Sequence, residues 1–241
     1  MNSLYTRLDA LLRSDAGARG FSANAGAADM DALVKAFAAA KCALIITGFP
    51  VEADDGHICC ETDGPIGAAH IARAFCDAGK RAYIATDELC YPQLAAAVRL
   101  RAPNAELIKL NGDMEELVGL GIDTVISIER PGKAQDGHCH TAKGRIIDGW
   151  LGADTDEEFE SLHKHGAKTI AIGDGGNELG TGKLFNVTRR VVDHGEDIAA
   201  AQTADITLAS GVSNWWGWGI AAIASVYLSR NVLPDEHEER A

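Results

Sequence analysis

The chain has 241 residues, 35 of them acidic and 22 basic, giving a formal charge of −13 and a pI near 5.0. That length fits one large α/β domain or two small ones, and 46% apolar with 24% charged residues is ordinary globular usage, which excludes collagenous, low-complexity and wholly disordered chains. The acidic excess repels polyanions, so neither nucleic acid nor a membrane is an expected partner, and six cysteines in so long a chain are too few for a disulfide scaffold.

Leu4, Leu8, Leu11 and Leu12 recur at helical spacing and predict an N-terminal helix. Residues 14–28, rich in Gly, Ala, Ser and Asn, read as a linker, so residues 1–28 form a helix and linker ahead of a single α/β domain over 29–233. Arg7, Asp9, Arg13 and Asp15 interrupt any apolar leader, so a cytoplasmic protein is expected. Asp29 precedes a second helical set, Leu33, Val34 and Phe37. From there β-rich runs at 43–47, 82–86, 105–110, 123–128, 168–172 and 204–209 alternate with helical segments at 65–79, 89–101, 113–120, 155–165 and 214–229, with short irregular pieces near 183–202. The alternation predicts a three-layer, doubly wound, mainly parallel sheet of about six strands or more. Thr155 with Glu158 reads as a capping box and Gly166 as the stop of the same helix, so the acidic run 154–160 is a helix start. The uncharged stretch 206–229 is long enough to span a bilayer, but Ser210, Gly211, Ser213, Asn214, Gly217 and Gly219 break it into a strand, a polar loop and a packed helix. Residues 234–241 form a charged tail, and the sequence leaves a homo-oligomer open.

Parallel strands with right-handed crossovers put their carboxyl ends on one edge of the sheet, where open α/β folds bind ligands. Those exits carry Gly48-Phe49-Pro50 and then Glu61-Thr62-Asp63-Gly64-Pro65, Asp87-Glu88, Asn111-Gly112-Asp113, Glu129-Arg130-Pro131-Gly132, the run from Gly173 to Glu178, and Ser210 to Asn214. Carboxylates crowded on one rim raise one another's pKa values unless a hard cation neutralises them. Oxygen donors favour Mg²⁺ or Mn²⁺, with Glu61, Asp63, Asp87, Glu129, Asp174, Asn177 and Glu178 as candidates. Asp87 and Asp113, each taken alone, read as helix caps. Asp174 reads as functional, because Gly173, Gly175, Gly176 and Gly180 let backbone amides approach a ligand and leave the carboxylate uncovered.

Glu178 stands where a dinucleotide fingerprint needs glycine, and Leu184 follows Gly182-Lys183 where a P-loop needs Ser or Thr. Gly173-Asp174-Gly175 with Asn177 resembles a haloacid-dehalogenase metal loop, but the one Asp-x-Asp, Asp154 and Asp156, opens a helix instead of following a first apolar strand. His57, Cys59, Cys60, His138, Cys139 and His140 match no usual structural zinc spacing. Trp215, Trp216 and Trp218 read mostly as core packing, with one available to wall a pocket.

In order along the chain, Gly48-Phe49-Pro50, Glu61 to Pro65, Glu129 to Gly132, Gly173 to Gly180 and Ser213-Asn214-Trp215 resemble the D-glutamate cyclase C-terminal-like domain family over about residues 40–228. The resemblance implies a lyase converting D-glutamate to 5-oxo-D-proline plus water, and a branch of the family is associated with metal-dependent phosphatase activity. A mechanism on this sequence has Mg²⁺ or Mn²⁺ held by Glu61, Asp63, Asp174, Asn177 and Glu178. Glu129 acts as general base, with Asp63 and Asp174 as further catalytic groups. Arg130, Lys183, Gly175, Gly176, Ser213 and Asn214 hold the rest of a small acidic metabolite. The alternatives are a Mg²⁺- or Mn²⁺-dependent phosphatase on a small phosphomonoester and a non-catalytic sensor of an anionic metabolite. His138-Cys139-His140, where relatives tend to carry aromatic residues, is the departure expected to bear on substrate choice.

Overall fold

The structure is a computed structural model describing residues 3–112 and 114–234. Asp113 and all of the charged tail but Pro234 lie outside the described residues. In chain order the elements are α1 (Ser3–Leu12), α2 (Phe21–Asn24), α3 (Met30–Ala39), β1 (Cys42–Thr47), β2 (Pro50–Glu52), β3 (Ile58–Cys60), α4 (Pro65–Asp77), β4 (Arg81–Thr86), α5 (Tyr91–Arg101) and β5 (Glu106–Lys109). There follow α6 (Met114–Gly119), β6 (Thr124–Ile128), α7 (Thr155–Lys164), β7 (Lys168–Gly173), α8 (Phe185–Val191), α9 (Gly195–Ile198), β8 (Ile206–Ala209) and α10 (Trp215–Leu228).

Six of the strands form one parallel sheet in the order β5-β4-β1-β6-β7-β8. The chain winds outward from β1 in both directions, and the order reverses between β1 and β6, the point at which a doubly wound sheet opens a crevice above its carboxyl ends. β1 and β6 are buried along their whole length because both faces of the sheet are covered. With side chains alternating every residue, Ala43 and Ile45 of β1, Ile126 and Ile128 of β6 and Ile170 and Ile172 of β7 face α3, α4, α5 and α10. Leu44, Ile46, Val125 and Ala171 face the layer of Leu117 and of Phe159 and Leu162 of α7. Among the described residues no helix is long and apolar enough to cross a membrane.

All six expected strands are present within one or two residues at each end. Three expectations change. Residues 14–28 are no loose linker: Phe21 is fully buried, α2 packs on α8, and the Gly211 amide donates to the Leu12 carbonyl at 3.0 Å, so this strap closes over the carboxyl edge of the sheet. The cap of α7 is Asp154, whose side chain accepts from the Glu157 amide; Thr155 sits inside the first turn and accepts from Arg130 instead, while both carboxylate oxygens of Glu158 are buried without a partner. Asp87 caps no helix, because its carboxylate is taken by Arg130 and by the Gly152 amide.

A candidate acidic centre at the switch point

Three loops converge above the carboxyl ends of β1, β6 and β7. Asp63, Glu129 and Asp174 each bring a carboxylate oxygen to within 4.8 Å of the other two. Each is fixed by a different device.

Asp63 is held by main-chain amides. One oxygen accepts from Gly64 and Asn214 at 2.9 and 2.7 Å and the other from Ser213 at 2.9 Å. Asn214 returns the support, its side-chain oxygen accepting from the Gly64 and Gly67 amides and its nitrogen donating to the Thr62 carbonyl. The amino ends of α4 and α10 are thereby locked together. The two helices touch there at glycine, since a Cβ on Gly217 would stand 2.9 Å from the Gly67 Cα. Ser213 and Asn214, expected to hold substrate, thus build the platform for Asp63.

Glu129 is aimed by its backbone. It follows β6 with φ 44°, a left-handed conformation costly for a side chain with a Cβ and typical of functional turns. Gly64 presses against it: a Cβ there would lie 2.8 Å from the Glu129 Cβ and 2.6 Å from the Thr47 hydroxyl oxygen. Glu129 is buried, and its Oε2 has no partner. Burial first, and then the charges of Asp174, Glu178, Asp63 and Glu61, push its pKa well above the usual carboxylate range.

Asp174 rides the glycine loop after β7 and pairs with the Arg19 guanidinium at 2.5 Å. Burial, then the Glu178 charge, raises its pKa to about 8 against the lowering effect of Arg19. Beneath the loop, Glu178 accepts from the amides of Asp174 and Gly175 on one oxygen, at 2.8 and 2.7 Å, and from Gly176 on the other at 2.7 Å. The amides expected to approach a ligand are therefore turned inward onto the protein's own carboxylate. Glycine is required at Gly173 because a Cβ would meet Glu178 Oε2 at 2.4 Å. Glu178, expected among the metal ligands, is a strut of the loop. Asn177 donates its side-chain nitrogen to the His140 carbonyl at 3.0 Å and lines the cleft. Glu61 also lines the cleft, its pKa raised by burial and by Asp63.

Glu61, Glu129, Asp174 and Asn177 line a cleft of about 570 Å³ together with Phe49, Lys143, Arg145 and Trp150. The other expected substrate contacts lie elsewhere. Arg130 is fully buried, pairs with Asp87 at 2.7 Å and bonds to Thr155 and to the Gly48 carbonyl. Lys183 donates to the Asp205 carbonyl at 2.6 Å. His138 pairs with Asp148, and with the buried Cys139 it lines a separate pocket of about 350 Å³. Trp216 is core, its indole donating to the Ala209 carbonyl, so the cleft's tryptophan is Trp150 and not one of the three opening α10. Sequence reasoning missed Arg19, whose only signal was a lone cation in a glycine-rich strap, and Trp150, which follows no strand exit.

The sequence profile described as D-glutamate cyclase-like, C-terminal, matches residues 8–241. The human protein "D-glutamate cyclase, mitochondrial" is 30% identical over 225 residues, covering 81% of this chain and 36% of that protein, so the chain spans about a third of its relative. Among solved structures, a 3-deoxy-D-manno-octulosonate 8-phosphate phosphatase of Moraxella catarrhalis aligns over 83% of this chain and 98% of its own at 11% identity with a TM-score of 0.42. The glycosyltransferase AviGT4 aligns over 78% and 50% at 15% identity with a TM-score of 0.31. The match across nearly the whole chain makes it a member of the D-glutamate cyclase-like, C-terminal, family.

Proposed function

We propose that the cleft binds D-glutamate and closes it to 5-oxo-D-proline with loss of water, using Mg²⁺ or Mn²⁺ held by Asp63 and Asp174 with the side-chain oxygen of Asn177. The observation that carries this is the convergence of Asp63, Glu129 and Asp174 within 4.8 Å, two of them lining the cleft, with a buried Glu129 oxygen left without a partner among the described residues. Acids so placed repel one another, and a divalent ion relieves that repulsion while an oxygen-only donor set suits a hard cation. The ion would supply Lewis-acid polarisation of the carboxylate under attack.

The chain's own residues do the rest. Ring closure forms a bond from the α-nitrogen to the distal carboxyl carbon and releases one carboxyl oxygen as water. The ammonium must first give up a proton, and Glu129 Oε2, buried and with its pKa raised, is positioned to take it. A second proton leaves the nitrogen as the lactam forms, and both protons pass to the departing oxygen, which leaves as water, so the step needs no outside acid. The strap carrying Arg19 packs on α8 and pairs with Asp174, holding that carboxylate at the edge of the cleft.

The test is incubation of the full chain with D-glutamate and Mn²⁺ or Mg²⁺, following 5-oxo-D-proline by chiral chromatography, and repetition with Asp174→Ala and Glu129→Gln. Metal-dependent product formation lost in both variants is expected. Hydrolysis of a phosphomonoester with no consumption of D-glutamate would replace the cyclase assignment with a phosphatase.

A further inference from the structure

A cleft that takes a dicarboxylate needs cations as well as acids, and Arg130 and Lys183 both lie away from it. The cations that do line it are Arg19, Lys143 and Arg145. Arg19 is committed to Asp174. Arg145 is held differently: its guanidinium carbon stands 4.8 Å over the Trp150 ring while Nη1 pairs with Glu52. The group is thus fixed from two sides, and Nε and Nη2 make no hydrogen bond to the described residues. Lys143 has no ion pair among the described residues and is presented by a tight turn in which the Gly144 amide donates to the Thr141 carbonyl at 2.9 Å. The wall is anchored from behind, where Ile147, Phe49 and Cys139 form a small buried cluster against which Trp150 packs.

We propose that Arg145, steadied by Trp150 and Glu52, and Lys143 form the anion-recognition wall of this cleft, binding the carboxylate that ring closure leaves intact. The assignment of that anion rests on the D-glutamate reading above; the geometry itself calls for a small planar or tetrahedral oxyanion, carboxylate or phosphate. A guanidinium fork with two unused donors matches a carboxylate in bidentate fashion. Stacking on an indole lowers the entropy lost when the fork is engaged. Arg145 and Lys143 line the same cavity as Glu129 and Asp174, so a substrate held through one carboxylate by the wall shares the cavity with the reacting groups.

The probe is 5-oxo-D-proline, which keeps only the spared carboxylate, set beside D-glutamate and inorganic phosphate, with and without Mn²⁺. Binding to the full chain is read by calorimetry and by Trp150 fluorescence, with Trp150→Phe identifying that signal. In Arg145→Gln the affinity for 5-oxo-D-proline is expected to fall about tenfold or more, the loss of a charge-assisted hydrogen bond. The thermal midpoint should be unchanged, and KM for D-glutamate should rise with kcat nearly constant. Arg145→Lys should recover part of the loss, and Lys143→Gln, at an exposed residue, should weaken the same ligand severalfold. An unchanged Kd for 5-oxo-D-proline in both Arg145→Gln and Lys143→Gln overturns the proposal, as does failure of the native chain to bind any of the three anions. Binding of phosphate alone, lost in Arg145→Gln, keeps the wall and removes the cyclase assignment.

Discussion

Asp174 makes the metal-free protein less stable as pH rises through the neutral range, and the size of the effect follows from its surroundings. Unfolded, the group ionises near its ordinary value of 3.8; folded, burial and the Glu178 charge hold the proton to about 8. Below the lower value both states are protonated and the group contributes nothing. Between the two values only the unfolded chain has released the proton, so each pH unit favours unfolding by ~1.4 kcal/mol. From about pH 5 to about pH 7 the loss is on the order of 3 kcal/mol for this residue alone. With Asp174 only 6% exposed, solvent screening takes little from that figure. Glu129, also raised by burial, acts in the same direction. Urea unfolding in a chelator across that range should therefore show a falling midpoint. Asp174→Asn, with no proton to exchange, should remove that part of the slope and exceed the native chain in stability near neutrality, less a few tenths of a kcal/mol for the half-exposed Arg19 pair. Mn²⁺ should restore the native chain near pH 7 and have little effect near pH 5. Parallel pH profiles for the native chain and Asp174→Asn, or a midpoint that rises across the window, would refute the reasoning.

Asp87→Ala strands a fully buried guanidinium and should cost ~3–5 kcal/mol in urea unfolding, whereas the double variant Asp87→Leu with Arg130→Met, which removes both charges, should cost less. Glu178→Gln turns an NH₂ group toward one of the three inward amides, so a loss of ~2–4 kcal/mol and weakened Mn²⁺ binding by electron paramagnetic resonance are expected together. Gly64→Ala forces a Cβ against Thr47 and Glu129 at φ 102°, and it should abolish turnover while lowering the thermal midpoint.

How much was legible in the sequence depended on whether the information was local. The central strands β1, β6 and β7 could be read because a strand covered on both faces is a nearly continuous apolar run, and the acids at their ends stood out because the topology sends those ends to one edge. The β2–β3 hairpin was not read: its three-residue strands are partly exposed and alternate too briefly to give a period. Pairing over long separations was equally hidden. Arg130 stands at a strand exit like a ligand-binding cation, but its partner Asp87 comes 43 residues earlier and both are enclosed by the fold. Glu178 counts as one more acid until the loop closes and three amides converge on it. Arg19 reaches Asp174 across 155 residues, from a strap whose Gly and Ala content mimics a flexible linker.

The acidic centre is a place where the chain works against its own stability. Asp63 is oriented by Gly64, Ser213 and Asn214, Glu129 by a left-handed backbone wedged against Gly64, and Asp174 by a loop built around Glu178, so each of the three is supported by its own part of the chain. Buried like charges held together by independent supports raise the free energy of the folded state, as the elevated pKa values of Glu129 and Asp174 record. A scaffold with no use for that arrangement would gain by replacing Glu129 or Asp174 with its amide. Glu158 also buries two unpartnered carboxylate oxygens, but among the described residues only at the switch point of the sheet do three acids converge beside a cleft, and that convergence, with Arg145 stacked on Trp150 in the same cleft, is what the proposed chemistry on an anionic substrate rests on.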